Sequence, residues 1–532
     1  MSLASARPAG DAAASAAQPP LDLVVVGGGI NGVGIARDAA GQGLSVLLLE
    51  RSDLAGATSS ASSKLIHGGL RYLEQAEFRL VRESLTEREV LWAAAPHIIR
   101  PLRFVLPVRP GLRSTWALRA GLFLYDHLGG RERLPPTRML RRDHDAALDA
   151  LREDYRRAFE YSDCWADDAR LVVLNAIDAK ERGAAIAVGW SFVGARREAG
   201  VWRLDIESDG GERRTLSARA LVNAAGPWVE QVLAGVGVPS RNALRLVKGS
   251  HIVVPRLYSG EHAFTLQSRD GRVIFTIPFH DRFTLIGTTD VPCGGAPSAV
   301  SVSAGEVEYL CRAVTEYLRA PVRPEQVVWQ YAGVRPLHDN GEASASTVTR
   351  DYVFDLDAPT GGAPLLSIFG GKLTTYRRLA EHALSELLPL LRRQPRRWTR
   401  GAALPGGDLP GRDVERFIAD QIRRHAFAPA AMIRRMCGAY GTRVERILAG
   451  ARALEDLGAE LAPGLFEAEL AYLRDNEWAR RADDVLWRRS KLGLALDPQA
   501  VARVEGWLAA HPAPRGELEW PAASAVQRLV GR

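Results

Sequence analysis

Gly27, Gly29 and Gly32 stand in G-x-G-x-x-G spacing, directly after the apolar run Leu23-Val24-Val25-Val26 and at the head of a helical pattern from Ile30 to Gly41. In that context the spacing is a dinucleotide-binding signature. Gly27 permits the tight turn, Gly29 lets backbone approach a pyrophosphate, and Gly32 lets the helix pack closely on the strand. The helix start, with Asn31 in its first turn, offers N–H groups and a partial positive charge to the anion. A second apolar run, Leu44 to Leu49, ends at Glu50, whose carboxylate suits ribose hydroxyls and repels a 2′-phosphate. The N-terminal position of the motif and the length of chain behind it favour FAD over NAD, because an extended FAD needs later segments to return to it. Four segments can do so. Thr58, Ser59, Ser62, Ser63 and Lys64 cluster just past the second strand, with His67 beyond them. Gly226 follows the run Leu221-Val222-Asn223, Asp290 closes Gly287-Thr288-Thr289-Asp290, and Gly371, Lys372 and Leu373 open a helix that can aim N–H groups at a flavin ring.

Only five of the 69 basic residues are lysine (Lys64, Lys180, Lys248, Lys372 and Lys491), so a lysine inside a motif carries unusual weight. The net charge of +7 and pI near 9.3 read mainly as arginine-rich composition, with room for an anionic partner. No RNP-like motif or helix-turn-helix spacing accompanies the dispersed basic residues, which argues against nucleic acid. The four cysteines have no CxxC spacing, which argues against a zinc module or a disulfide scaffold. No run approaches the roughly 20 apolar residues that span a bilayer.

These residues need a frame. At 532 residues the chain predicts about two to four domains. Residues 1–20 read as a disordered Ala/Ser/Pro-rich tail. Buried-strand runs at Ala220–Asn223, His251–Val254, Val273–Ile277, Phe283–Ile286 and Leu365–Ile368 follow the first strand–turn–helix–strand unit. Short strands and turn residues over about 245–355 predict a mainly antiparallel sheet inserted between the nucleotide-binding segments. Beyond a Pro/Gly-rich linker, Pro405 to Gly411, amphipathic helices dominate, for example Phe466–Leu473 and Ala482–Leu492. This assigns 21–95, 150–245 and 350–390 to a discontinuous cofactor domain, 96–149 and 246–349 to a substrate domain, and 405–532 to a helical domain.

Together, VVVGGGINGVGIARDAAGQGLSVLLLE, ATSSASSKLIHGGLRYLE, LVNAAGPWV, LVKGSHIVVP, YAGVRPL and SIFGGKLTTYRRLAEHA resemble the FAD-dependent, aerobic glycerol-3-phosphate dehydrogenase family. The resemblance runs over almost all of the chain beyond the tail. One departure is Gln42-Gly43, where the family usually reads Arg-Gly. The resemblance implies an α/β, FAD-binding Rossmann-like domain of the glutathione-reductase/D-amino-acid-oxidase type, with an inserted antiparallel substrate sheet and a C-terminal helical domain. It further implies oxidation of sn-glycerol 3-phosphate to dihydroxyacetone phosphate, with hydride passing from C2 to flavin N5. Electrons would go on to ubiquinone or another quinone at the inner face of the cytoplasmic membrane. It places Arg71, Tyr72, Arg335 and Arg350 around the substrate, where an arginine fork suits a phosphate.

Lys372 would set a cation beside the reduced flavin. His251 is the candidate base for the C2 hydroxyl, with His67 its rival, since an imidazole suits proton removal near neutrality. Two basic–aromatic segments could rest on anionic lipid: residues 100–142, with Trp116, Leu118, Leu122, Phe123, Leu124 and Tyr125, and the stretch Arg392 to Trp398. The alternatives are a glycerol-3-phosphate oxidase using O2 and another 2-hydroxy-acid or amine oxidoreductase of the same fold. The oligomeric state stays open, a homodimer included.

Overall fold

A computed structural model describes residues 19–109, 114–339 and 351–513; the N-terminal tail falls almost wholly outside them. The run after residue 20 forms the buried strand Leu21–Val26, and the helix behind the glycines spans Ile30–Gly41. The second strand is Val46–Glu50. Leu21–Val26 lies between Val46–Glu50 and the long strand Arg213–Asn223, parallel to both. Leu365–Gly370 and Ala185–Val188 extend the parallel order outward, and Tyr352–Asp357 adds an antiparallel edge. Strands buried on both faces read as continuous apolar runs, and this is why the sequence displays them so openly.

Helices Ile30–Gly41, Asp168–Glu181 and Tyr376–Leu390 cover one face of this sheet through a core that includes Val33, Val172, Ile177, Leu379 and Leu387. The other face packs against the hairpin Trp190–Glu198/Val201–Ser208 and the helix Val229–Gly235, around Trp202 and Leu233. Gly32 sets the distance between the first helix and the first strand. A Cβ there would lie 1.9 Å from the Gly27 carbonyl oxygen.

The second sheet is mainly antiparallel. Leu244–Pro255 runs through it, paired with Phe283–Gly287 and Val291–Pro292 on one side and with Trp329–His338 on the other. Val273–Phe279 and Ala263–Gln267 continue the order. The sheet also takes in Ile99–Pro107, Arg138–Arg141, Leu65–Ile66 and Arg157–Ala166. The last two differ from the sequence-based division, which assigned 21–95 and 150–245 to the cofactor domain. The mixed polar and apolar residues of Arg157–Ala166 carry no mark of which sheet they join, and here the antiparallel edge of Ile99–Pro107 takes them.

The C-terminal part packs helices Val414–Arg424, Ala430–Tyr440, Glu467–Glu477 and Pro498–Ala510 around Ile433, Met436, Leu470 and Val504. It also holds a small hairpin, Glu460–Ala462 with Leu465–Phe466, where helix alone was expected. The expected helix Ala482–Leu492 is instead a π-helical turn, Asp484–Arg489, in which Ser490 N donates to the Val485 carbonyl five residues back. The Pro/Gly-rich linker is packed rather than loose. Cβ atoms on Gly406 and Gly407 would each lie 2.2 Å from the carbonyl oxygens of Tyr440 and Ala94.

Candidate functional site

A cavity of about 1410 Å³ opens where the two sheets meet. Its floor is the glycine turn. Gly27 has φ +116, and a Cβ on it would lie 2.5 Å from the Ala224 carbonyl oxygen, so both its conformation and its surroundings require glycine. The first N–H groups of the helix point outward from this turn. Ile30 N donates to Ser59 Oγ (3.0 Å) and Gly28 N to Glu50 Oε2 (2.7 Å). Burial pushes the Glu50 carboxyl above its ordinary value, against the hydrogen bonds from Ser52 and Gly28 that favour its charge. Asn31 Nδ2 donates to the Gly370 carbonyl (3.2 Å), while its buried Oδ1 has no hydrogen-bond partner among the described residues. Gly371 has φ +98, and a Cβ on it would lie 2.8 Å from Asn31 Nδ2. Gly27, Gly29, Asn31, Glu50, Gly226, Gly371 and Leu373 all lie on the cavity wall; Gly32 lies behind it as packing.

The serine-rich segment runs along the same wall, and Thr58–Ser60 makes one 3-10 turn. Thr58 Oγ1 donates to the Val334 carbonyl (2.7 Å) and Tyr331 donates its hydroxyl proton to the Ser62 carbonyl (2.8 Å), so this segment is fastened to the second sheet. Thr58, Ser59, Ser62, Ser63 and His67 reach the cavity, but Lys64 does not. Lys64 is fully buried at φ +57, and its Nζ meets Asp168 Oδ1 at 2.8 Å and the Ser60 carbonyl at 3.0 Å. Asp168 also accepts from Ser62 Oγ (2.8 Å). Lys64 therefore braces the loop from behind, since its charge is already matched by a buried carboxylate. Sequence reasoning missed Asp168, which starts a helix and looks there like an ordinary first-turn acid.

Cationic groups also line the cavity. Arg335 extends from Trp329–His338, with Nη1 on Asp290 Oδ1 (2.6 Å) and the Thr289 carbonyl (3.2 Å) and Nη2 on Thr288 Oγ1 (2.9 Å). Those contacts fix the plane of its guanidinium. Lys372 Nζ sits 3.9 Å from the centre of the Tyr72 ring, a cation–π geometry. Arg71 and Tyr72 line the cavity from the 3-10 turn Leu70–Gln75. That turn is held from behind, because Gly68 N donates to the Tyr125 hydroxyl (2.8 Å) and Tyr125 donates to the buried Asp163 (2.8 Å). Arg350 lies outside the described residues.

His251 requires a correction. It is 1% exposed, stacked on Tyr331 at 4.8 Å, and lies behind the wall, with Nε2 2.9 Å from Ser63 Oγ. Burial, reinforced by the charges of Arg335 and Lys64, holds its pKa well below 6.5. The ring is therefore neutral near pH 7, and its reach into the cavity runs through Ser63. The depth of a histidine in an apolar strand is set by the strands on either side and cannot be read from the strand itself. His67, in contrast, is on the wall.

The segments suggested for lipid also divide. On the helix Thr115–Leu128, Leu118, Leu122 and Tyr125 face the core, while Trp116 and Phe123 are 77% and 61% exposed. Leu124 and Phe78 are exposed beside them and line the cavity mouth. In Arg392 to Trp398 the aromatic faces inward. Trp398 Nε1 donates to the Asp38 carbonyl, and its ring lies between the guanidinium groups of Arg37 and Arg182 at 5.0 and 4.1 Å.

Known proteins match this architecture over most of the chain. The family described as FAD dependent oxidoreductase matches residues 22–377, and the C-terminal domain of alpha-glycerophosphate oxidase matches 398–513. The chain is 53% identical over 493 residues to a glycerol-3-phosphate dehydrogenase of Pseudomonas aeruginosa, covering 92% of this chain and 96% of the relative. The chain belongs to the FAD-dependent glycerol-3-phosphate dehydrogenase family. It is also 49% identical to the aerobic glycerol-3-phosphate dehydrogenase of Escherichia coli (93% of this chain, 99% of the relative). A D-erythritol 1-phosphate dehydrogenase of Brucella abortus is 50% identical, with 91% and 97% covered. The crystal structure of the Bacillus halodurans glycerol-3-phosphate dehydrogenase complexed with FAD superposes with a TM-score of 0.74 at 26% identity, covering 97% of this chain and 94% of the other.

FAD is the cofactor of this fold, and the residues present suit it. The glycine turn leaves backbone where a Cβ would collide, Gly29, Ile30 and Asn31 at the helix start line the cavity, and Asn31 Oδ1 is an unmatched buried acceptor on the wall. One consequence concerns pH. With His251 held neutral, lowering the pH from 8 toward 6.5 should give no loss of turnover from protonation of that ring. A kcat–pH profile with an inflection at the ordinary histidine value of 6.5 that His251→Asn removes would contradict this arrangement.

Proposed function

We propose that the protein oxidises sn-glycerol 3-phosphate to dihydroxyacetone phosphate and passes the electrons to a membrane quinone. The observation that carries this reading is that Arg71, Arg335 and Lys372 line the same cavity as the dinucleotide cradle. Bound FAD supplies the hydride-accepting chemistry. The chain's part is charge, orientation and proton movement. Arg335, its fork fixed by Asp290 and Thr288, and Arg71 take the phosphate dianion, for which a guanidinium is suited in geometry and permanent charge. Lys372, steered by the Tyr72 ring, holds a positive charge where negative charge develops. The C2 hydroxyl proton passes to Ser63 Oγ as Ser63 gives its own to His251 Nε2. His67, on the same wall, is the alternative acceptor.

A second reading concerns the length of the polyol. The Brucella abortus relative is named for D-erythritol 1-phosphate, which presents the same phosphate and an adjacent chain of hydroxyls, so the same cations would serve it.

The helix Thr115–Leu128 supports the membrane part of the proposal. Its outward Trp116 and Phe123 stand beside the apolar rim of the cavity, and Arg119 is exposed among them. An aromatic and basic face of this kind suits an anionic lipid surface and would bring a lipid-soluble acceptor to the cavity mouth. Among the described residues no helix is long and apolar enough to cross a membrane, so attachment through this face would be peripheral, at the cytoplasmic side.

Two measurements test the proposal. Arg335→Ala should raise KM for glycerol 3-phosphate at least tenfold, about 1.4 kcal/mol, with much less effect on unphosphorylated glycerol. Equal losses on both substrates would remove the phosphate role. In flotation with anionic vesicles, the parent should rise with the lipid at low salt, and a variant with Trp116→Ser and Phe123→Ser should stay behind. Equal flotation of the two would show that this face is not the contact.

A further inference from the structure

The turn Asp484–Arg489 belongs to the C-terminal domain, yet Trp487 and Arg488 stand on the wall of the cofactor cavity. Each makes contact with a segment that builds that wall. The Trp487 ring stacks on Trp329 (4.6 Å between centres, 18° between planes), and Trp329 packs on Tyr331 at 4.8 Å. Tyr331 in turn donates to the Ser62 carbonyl in the serine-rich segment. Arg488 Nε donates to Asp53 Oδ2, and Arg489 binds the same carboxylate with both terminal nitrogens, at 2.7 and 2.8 Å. Asp53 is 1% exposed. It lies in the loop that leaves Glu50, where its carbonyl accepts from Gly56 N (2.9 Å) and Ala55 N donates to the Gly28 carbonyl (3.1 Å). This loop therefore runs from the ribose carboxylate to the glycine turn with its middle held by two arginines of another domain.

The chemistry makes this more than a domain contact. A buried carboxylate with two guanidinium groups holds position closely, because removing either partner leaves an uncompensated buried charge. Single π-helical turns also recur where a side chain has been re-aimed at a functional site. Here the wider turn lets Trp487 and Arg488 face the cavity while Arg489, next in sequence, remains fully buried. Elsewhere the two domains are fastened by contacts away from the wall, such as Arg170 with Glu477, and Arg443 with Glu181 at 2.6 Å. Docking alone does not require the aromatic stack.

We propose that the C-terminal domain is a working part of the FAD site, with Trp487, through Trp329, and Arg488 and Arg489, through Asp53, positioning the two loops that receive the dinucleotide. Coupling of this kind is reciprocal: FAD tightens the turn as much as the turn tightens FAD.

The test uses the full chain without flavin, titrated with FAD and followed by quenching of flavin fluorescence. Trp487→Ala should weaken FAD at least tenfold, Trp487→Phe, which keeps a stacking ring, should stay within threefold, and Glu181→Gln, away from the cavity, should bind as the parent does. Independently of any variant, FAD should slow amide hydrogen exchange across residues 478–494 of the unaltered protein. Parental FAD affinity in Trp487→Ala overturns the proposal. Should that variant fail to fold, exchange decides: no FAD-dependent slowing over 478–494 overturns it.

Discussion

The absence of a side chain at position 32 is the constraint on which the other distances depend. With no Cβ there, the helix Ile30–Gly41 lies against the carbonyl of Gly27, and its first N–H groups emerge at the end of the central strand. Ser59 then meets the Ile30 N–H and Glu50 the N–H of Gly28 in the turn before the helix, and their positions fix the courses of the serine-rich segment and of the loop after the second strand. The serine-rich segment, through Thr58 and Ser62, is fastened to Val334 and Tyr331 of the second sheet. The cavity is what remains between two sheets joined in this way. A displaced helix would move its floor and both walls together.

Buried ion pairs hold the parts around that contact. Arg37 meets Asp178, Arg88 meets Asp163, Arg377 meets Glu87 and Lys64 meets Asp168, all at low exposure. Such pairs add little net stability, because desolvation offsets most of the attraction. What they supply is position. Part of the arginine excess that composition leaves unassigned is therefore internal scaffolding, and only a few arginines face the cavity.

Sequence reading recovered what is encoded locally. The glycine turn, the limits of the first helix and the apolar strands follow from residue spacing over a dozen positions or fewer, and the antiparallel middle section follows from alternation and turns. Properties set by neighbours far along the chain were less legible. Lys248 sits in a motif beside His251, yet its Nζ pairs with Glu306 at 2.7 Å away from the cavity wall. His251 and Lys64 have the right chemistry for a site, but the sheets that bury them are formed by distant segments. Asp168, Asp53 and Trp487 gain their roles only from partners a hundred or more residues away, or across a domain boundary. The π-helical turn was also hidden, because apolar periodicity does not distinguish it from an ordinary helix over so few residues.

Under the proposed function, Arg71, Arg335 and Lys372 present a phosphorylated polyol to the flavin in the cavity they share with the dinucleotide cradle. The most direct test of this claim is the visible flavin spectrum of the purified protein under anaerobic conditions. Adding glycerol 3-phosphate should bleach the flavin band within the mixing time, and glycerol at the same concentration should leave it unchanged. If both bleach it alike, or if neither does while dithionite still reduces the flavin, the account of this cavity is wrong.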